Sequence, residues 1–297
     1  RTTRHHHPQC GVHLARLKLR DFRNIRRLDV EFEPGFHVLL GRNAQGKTNL
    51  LEAVYLLATL RSFRGVGNAQ IIRHERKAFF AGGLAIGQAE NDIRYYWSAA
   101  QRKLTVNEKP IRRVADYLGA LRTVVFCAED ALLVNGPGKS RRRFLDLLLT
   151  QTRPGYLDLL HRYTEALRSR NALLKRDSPD NVLLDSFTRE LVGNGEKLIV
   201  ARREVVKKLS PLIRLGYRKI AAKPEDARID YAPSVREDFA VDLAKSRIRE
   251  QRYRSTLVGP HRDELKLSLD GQAAAQYASE GQKRTFAIAL KMAQADY

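Results

Sequence analysis

Hydrophobic and charged positions alternate from His13 onward: Leu14, Leu17 and Leu19, then Leu28, Val30 and Phe32, on either side of the polar stretch Asp21 to Arg27. A period of two belongs to a strand with one wet face, so two strands are expected, joined by 21–27. Phe36-His37-Val38-Leu39-Leu40 is almost continuously apolar and is expected as a buried strand, giving an antiparallel entry into a parallel sheet. Asn49 to Leu57 then opens an apolar helix. Ile71 to Ala85 and Ile93 to Val106 return to strand alternation, with Asn107-Glu108 as a turn, and Val124 to Phe126 reads as a short buried strand. Gly136-Pro137-Gly138 breaks the chain before the basic run Lys139 to Arg143 and an apolar helix, Phe144 to Thr150.

From Pro154 the period changes to that of long helices, one over Tyr156 to Lys175 and another over Val182 to Leu215. Leu159, Tyr163, Leu167 and Leu174 make the apolar face of the first; Leu184, Leu191, Leu198, Val205, Leu209 and Leu212 make that of the second. The a/d spacing is not sustained, so an antiparallel helical pair is expected rather than an extended coiled coil. Ala221 to Val235, with Pro224 and Pro233, reads as a linker back to the core. The expected organisation is a disordered leader over 1–12, a P-loop lobe with a β subdomain over 13–150, a helical arm lobe over 151–235, and a return to the core over 236–297. The fold class is α/β, a mixed sheet with an antiparallel β subdomain and a helical second lobe.

Charge sharpens this picture. The 297 residues carry 54 Lys and Arg against 33 Asp and Glu, a formal net charge of +21, with a pI near 10.3. So large an excess creates a field that favours polyanions, nucleic acid foremost. No apolar run approaches the roughly 18 residues of a membrane span, so a cytoplasmic protein is expected. Two cysteines, Cys10 and Cys127, make no disulfide framework, and Cys127 is expected as a small buried apolar residue. The first residue is Arg1 and the single methionine is Met292, which suggests incomplete ends. Residues 1–12 read as a leader or an artefact, and His5, His6 and His7 lack the frame of a metal site.

Candidate chemistry lies at two helix starts. Gly41-Arg42-Asn43-Ala44-Gln45-Gly46-Lys47-Thr48 matches G-x-x-x-x-G-K-[ST] between the expected strand and helix. In such a loop the glycines admit close backbone approach to phosphates and loop N–H groups converge on the oxygens. Lys47 neutralises the β and γ phosphates and the Thr48 hydroxyl is a Mg²⁺ ligand, so ATP with Mg²⁺ is the expected cofactor. Near the other end, Ser279-Glu280-Gly281-Gln282-Lys283-Arg284 precedes an apolar helix, Thr285 to Ala295, and Ser279 fits an N-cap. Three basic groups are candidate DNA contacts: Arg61 and Arg64; Arg141, Arg142 and Arg143; and the face containing Arg202, Arg203, Lys207 and Lys208. That last face belongs to Arg202 to Lys219, with seven basic residues against one acidic.

Paired with the P-loop, S-x-G-Q resembles the signature motif of ABC-type ATPases. The combination is more specific still. Leu19-Arg20-Asp21-Phe22-Arg23-Asn24, the P-loop with Asn49-Leu50-Leu51-Glu52-Ala53, Arg61-Ser62-Phe63-Arg64, Glu129-Asp130 with Arg141 to Asp146, Arg170 to Lys175, and Gly259-Pro260-His261-Arg262-Asp263 resemble the RecF family of bacterial recombinational-repair ATPases, relatives of the SMC heads. The resemblance runs from Leu14 to the last residue. It implies an ABC-type ATPase head in which Ser279, Gly281 and Gln282 close on the nucleotide of a second copy, so that ATP holds a homodimer together. It further implies binding of double-stranded and gapped DNA, work with the RecO and RecR proteins in loading recombinase, support of replication-fork recovery and the SOS response, and contacts from Arg23 and Asn24 to the nucleotide.

Two departures, Glu280 and Lys283 where the family often has glutamines, and Ala128 where it often has proline, look tolerable. A third has consequences: no apolar strand ending in Asp-Asp or Asp-Glu follows the signature, so a C-terminally truncated fragment is expected and its own hydrolysis of ATP stays open. The alternative, an ABC transporter ATPase subunit, predicts a near-neutral domain with a short helical insert. A small-molecule P-loop kinase predicts no signature, an SMC-like arm a far longer heptad region, and a vestigial P-loop would lack Lys47 and Thr48.

Overall fold

A computed structural model describes residues 13–87, 89–178 and 180–297. The expectations for 1–12, the histidine run and Cys10 included, lie outside the described residues. Two compact units are present, the first ending at Val125 and the second running Phe126–Tyr297.

In the first unit, β1 (His13–Phe22) and β2 (Ile25–Glu31) pair antiparallel with Phe22 opposite Ile25. Their turn is therefore Arg23-Asn24 alone, tighter than 21–27, and Arg23 takes a left-handed φ of 52° to make it. After α1 (Lys47–Thr59) come β3 (Ala78–Ile86), β4 (Glu90–Ser98), β5 (Arg102–Val106), β6 (Lys109–Pro110) and α2 (Val114–Tyr117). The sheet order is β2-β1-β3-β4-β5-β6, and each described pairing is antiparallel. Asn107 and Glu108, at φ 50° and 65°, form the expected turn between β5 and β6. Because side chains alternate, one sheet face carries Leu17, Leu19, Phe79, Ala81, Ile93 and Tyr95 and packs with Ala53, Leu56 and Leu57 of α1. Phe79 meets Phe22 and Tyr95 edge-on at 5.7 and 5.4 Å.

Two apolar segments are not strands. Residues 36–40 and 124–126 belong to no strand and pair with none, and Phe36 and Leu40 are 93% and 87% exposed. An apolar run becomes a buried strand only where a neighbour supplies a ladder and a lid, and among the described residues neither segment has one.

The second unit contains α3 (Leu132–Asn135), α4 (Gly138–Thr152), α5 (Tyr156–Leu174), α6 (Asn181–Ile220), β7 (Ala227–Ala232), α7 (Phe239–Tyr253), β8 (Glu264–Leu269), β9 (Gln272–Ala273), α8 (Ala274–Tyr277) and α9 (Glu280–Asp296). The Asp180 carboxylate caps α6 by accepting from the Leu183 N–H at 3.1 Å. With 40 residues, α6 is about 60 Å long. The short connection from α5 folds the two helices into the expected pair. Leu191, Leu198, Val205, Leu209 and Tyr217 of α6 share one core with Phe144 and Leu148 of α4, Leu265 of β8, and Phe286 and Leu290 of α9. The core thus joins segments expected in three different regions, and the division falls at 125/126 instead of 150. The expected linker also contains β7, fitted between Pro224 and Pro233 and paired with β8.

Candidate nucleotide site and the buried polar networks

The loop Gly41 to Thr48 is held by backbone strain at few positions. Gly41 and Gly46 adopt φ of 151° and 97°, which glycine tolerates, and Ala44 takes a strained left-handed φ of 63°, so that the chain turns into the helix. Lys47 is the first residue of α1, and Gly46, in the cap position, offers no side chain to the first-turn amides. Those N–H groups and the positive end of the helix dipole are left for an anion. The Lys47 ammonium folds back over the loop and donates to the carbonyl oxygens of Gly41 and Arg42 at 2.6 and 2.7 Å. Arg42, Asn43, Ala44, Gln45 and Thr48 are exposed around it.

The β1–β2 turn braces this loop. Asn24 donates to the Ala44 carbonyl at 3.1 Å and accepts from the Asn49 side chain at 2.8 Å. A Cβ on Gly46 would lie 2.8 Å from Asn24 Oδ1, so any other residue there would push the asparagine aside. Arg23, expected beside the nucleotide, is instead fixed on Glu52, a carboxylate with no exposed surface, at 3.0 and 2.7 Å. Ser62 donates to the same carboxylate at 2.5 Å and the Arg64 guanidinium lies 3.7 Å away. A buried charge requires such company, which gives Arg23, Ser62 and Arg64 a structural task. Arg61 is exposed.

The signature segment is a helix start of the opposite kind. The Ser279 hydroxyl accepts from the Gln282 N–H at 3.2 Å while the Gln282 side chain accepts from the Ser279 N–H at 2.6 Å, a closed capping box. Gln282 also donates to Glu225 at 2.5 Å. Helix α9 begins at Glu280, earlier than the expected Thr285, because the box supplies its first turn. Gly281 is exposed, and a Cβ there would meet only the Ser279 hydroxyl at 3.9 Å.

The candidate DNA contacts divide by burial. Arg202 is 2% exposed, binds Asp146 at 2.9 Å and Asp263 at 3.5 Å, and donates to the Pro260 carbonyl at 2.6 Å. Burial pulls its pKa down, but the charge of Asp146 outweighs that and leaves it raised. The expectation of a phosphate contact there is corrected: its period puts it on the inner face of α6, with Leu198 and Val205. Arg141 grips Glu264 at 2.7 and 3.1 Å and the Gly136 carbonyl at 2.9 Å. Burial pushes the Glu264 pKa up, yet Arg141 reverses this and holds it low. Arg142 donates to the Asp263 carbonyl at 2.7 Å, and its burial lowers its pKa. Arg143, Arg203, Lys207 and Lys208 remain exposed.

The segment Gly259 to Asp263, to which the sequence alone gives no task, is the centre of a buried polar network. Asp263, wholly buried, accepts from the Tyr231 hydroxyl, with a very short contact, and from the Ser234 N–H at 2.8 Å. Gly259 has φ 129°, and a Cβ there would collide with Phe239 and Tyr163. His261 lies 2.6 Å from the Tyr163 hydroxyl and 3.1 Å from the Thr256 carbonyl. Burial lowers its pKa to about 4, so it is neutral at pH 7. Beside it, buried Arg170 binds Glu250 at 2.6 Å and Thr256 at 2.7 Å. Cys127 is half-buried, and burial pushes its thiol to about 12, so it is not a reactive thiolate.

Among the described residues no cluster of three acidic, histidine or cysteine side chains could hold a metal, and no helix is long and apolar enough to cross a membrane.

The family profile described as RecF/RecN/SMC N terminal domain matches residues 13–297. The chain is 38% identical over 301 residues to the DNA replication and repair protein RecF of Symbiobacterium thermophilum, covering 96% of this chain and 80% of that protein. It is likewise 38% identical to the RecF protein of a Synechococcus strain, over 95% of this chain and 79% of the other. The recombination mediator protein RecF solved with ATP superposes with a TM-score of 0.90 at 30% identity, over 99% of this chain and 83% of that one. An Smc head domain from Pyrococcus furiosus, 15% identical with a TM-score of 0.54, shares the fold. The chain spans about four-fifths of the length of these RecF relatives, and the transporter alternative is set aside by their identity. On the family match, the identity and the superposition together, the chain belongs to the RecF family of DNA replication and repair proteins, with the α/β fold of an ABC/SMC-type ATPase head.

Proposed function

We propose that this chain is an ATP-dependent DNA-binding protein of recombinational repair and replication-fork recovery in the cytoplasm. The observation that carries the reading is the open helix start at Gly46-Lys47, where uncapped amides and a folded-back ammonium await a polyphosphate. ATP binds at Gly41 to Thr48, as the solved RecF–ATP complex supports by likeness. Lys47 exchanges its two carbonyl partners for phosphate oxygens, a stronger charge-assisted contact. Mg²⁺ fits the exposed Thr48 hydroxyl at the first turn, where it would neutralise phosphate charge. Ser279, Gly281 and Gln282 of one copy close on the nucleotide of another, so ATP drives a homodimer. The exposed cations Arg61, Arg143, Arg203, Lys207 and Lys208 hold phosphates of duplex DNA near single-strand gaps, with Arg64 at the margin. RecO and RecR are the partners in recombinase loading, upstream of SOS induction.

Two variants of the complete protein test this. Lys47→Ala should abolish binding of fluorescent ATP while circular dichroism stays native; unchanged affinity sinks the nucleotide assignment. Ser279→Arg should keep ATP binding to the monomer and eliminate ATP-induced dimers. Light scattering that shows normal dimers refutes the role of the signature.

A further inference from the structure

The sheet of the first unit has a second face, turned away from α1, and its register sets five side chains in one row. Arg27 of β2 pairs with Arg20 of β1, Arg20 with Phe80 of β3, Phe80 with Tyr96 of β4, and Tyr96 with Lys103 of β5. Neighbouring strands lie about 4.8 Å apart, so the row spans about 19 Å. Three of its members are exposed cations and the two between them are half-buried aromatic rings.

Stability of the sheet does not account for this row. Like charges directly opposite each other, as Arg20 and Arg27 are, destabilise a pair of strands. Arg20 reaches only Asp21, at 3.9 Å, and among the described residues Arg27 and Lys103 make no ion pair. The next row differs: Lys18 meets Asp29 at 3.8 Å, and Arg94 is bound to Asp92 and lies 3.8 Å from Glu108. The aromatic pair is also outside the core, which the preceding residues Phe79 and Tyr95 enter on the other face, each 1% exposed. Phe80 leans across Gly82, its Cζ 2.8 Å from where a Cβ would stand, and so lies flat over the sheet. A hollow of about 950 Å³ lies over the row from Arg27 to Tyr96, lined by Arg20, Arg27, Phe80 and Tyr96 among others, with Lys103 beyond its edge. Asp21 and Asp29 border it, but Asp21 faces Arg73 and Arg76 and Asp29 is held by Arg16.

We propose that this outer sheet face is a binding site for single-stranded nucleic acid, with phosphates along Arg20, Arg27 and Lys103 and unpaired bases stacked on Phe80 and Tyr96. Exposed rings flanked by cations are how sheet surfaces hold single strands, two or three bases to a sheet of this width. A duplex hides its base faces and has no use for the rings, and an acidic peptide would need the cations alone. The inference rests on the DNA-binding reading above and adds to it a strand-specific surface built from other residues.

Anisotropy of a fluorescein-labelled oligothymidylate, titrated with the complete protein at several salt concentrations, tests it. Phe80→Leu/Tyr96→Leu keeps apolar bulk and removes stacking; Arg20→Ala/Arg27→Ala changes only exposed side chains. Each pair should weaken single-strand binding on the order of tenfold. Only the arginine pair should flatten the salt slope, by about 1.4 for two phosphates. ATP-dependent duplex binding should stay within about twofold in both variants. Should the leucine variant misfold, ultraviolet crosslinks from oligothymidylate to wild-type protein must map to Phe80 or Tyr96; crosslinks found only elsewhere overturn the proposal. Unchanged single-strand affinity in the arginine variant overturns it while normal duplex binding leaves the broader function standing. Equal loss of oligothymidylate and polyglutamate binding in the arginine variant, with the leucine variant unaffected, assigns the face to an acidic protein and overturns it as well.

Discussion

Two glycine-containing helix starts look alike in sequence and differ in what their first amides do. At α1 the cap residue is Gly46 in a left-handed conformation and no side chain accepts from the turn; at α9 Ser279 and Gln282 satisfy each other's N–H groups. An uncapped turn is an anion site waiting to be filled, whereas a boxed turn is complete and can offer only outward hydroxyl and backbone edges. The same contrast holds for the arginines. Arg20, Arg27 and Arg61 in the first unit face solvent, while Arg141, Arg170 and Arg202 in the second are consumed by Glu264, Glu250, Asp146 and Asp263. A polar group already satisfied internally contributes to the fold; one left unsatisfied at the surface is available for ligands.

The largest effect should come from breaking a consumed arginine. Arg202→Ala leaves Asp146 and wholly buried Asp263 without their shared cation, which should cost about 3–5 kcal/mol. Chemical denaturation reads the loss, and the salt slope of DNA binding by the folded fraction should not change. A variant with wild-type stability but a flatter slope would return Arg202 to the DNA contacts.

Slightly smaller is an acid effect centred on His261. Its folded pKa, lowered by burial to about 4, lies below the ordinary value near 6.5, so the unfolded chain takes up the proton first. The stability it contributes is fully present above pH 6.5 and is lost as pH falls toward 4, by about 3 kcal/mol in total. The difference in stability between wild type and His261→Asn should therefore vary with pH across that window and level off outside it. A constant difference would mean that His261 is not held neutral by the fold.

How much of this was legible in the sequence follows from the same distinction. The helix after the glycine-containing loop, the helical pair, the Asn107-Glu108 turn and the Ser279 cap were readable because each depends on local chemistry and short spacing. Phe36 to Leu40 misled because strand formation needs a neighbour, and hydrophobicity does not report one. Arg202 misled because a run of basic residues on a helix hides which of them point inward; its position four after Leu198 was the available signal. Asn24, Glu52 and Asp263 act through partners at sequence distances of 10 to 61 residues, and a single sequence carries no mark of such pairings.

Closing the open helix start sharpens the comparison next. Gly46→Ala places a methyl 2.8 Å from Asn24 Oδ1 and forces a side chain into φ 97°, a combination that should cost about 1–2 kcal/mol of stability. Its effect on function should be larger than its effect on the fold, because the Asn24 brace must shift and the amides turn away from the phosphate. Fluorescent ATP binding should fall by at least tenfold in protein that still melts cooperatively. Full affinity would show that the loop tolerates a different cradle.

The smallest effect tests the boxed start. Ser279→Ala removes one acceptor and frees the Gln282 N–H, while the Gln282 side chain can still accept from residue 279. Loss of a cap of this type costs typically about 1 kcal/mol, and ATP affinity of the isolated subunit should be unchanged because α1 keeps its own amides. What should change is the salt and nucleotide concentration needed for dimers, since alanine keeps the helix but withdraws the outward hydroxyl. Ser279→Asp separates the two roles: it caps α9 at least as well, yet sets a negative charge where, on the proposed dimer, a partner's γ-phosphate would approach. A melting temperature restored by aspartate together with abolished dimers would show that the box serves the fold and the hydroxyl serves the partner, whereas dimers that track stability in all three proteins would reduce Ser279 to a cap.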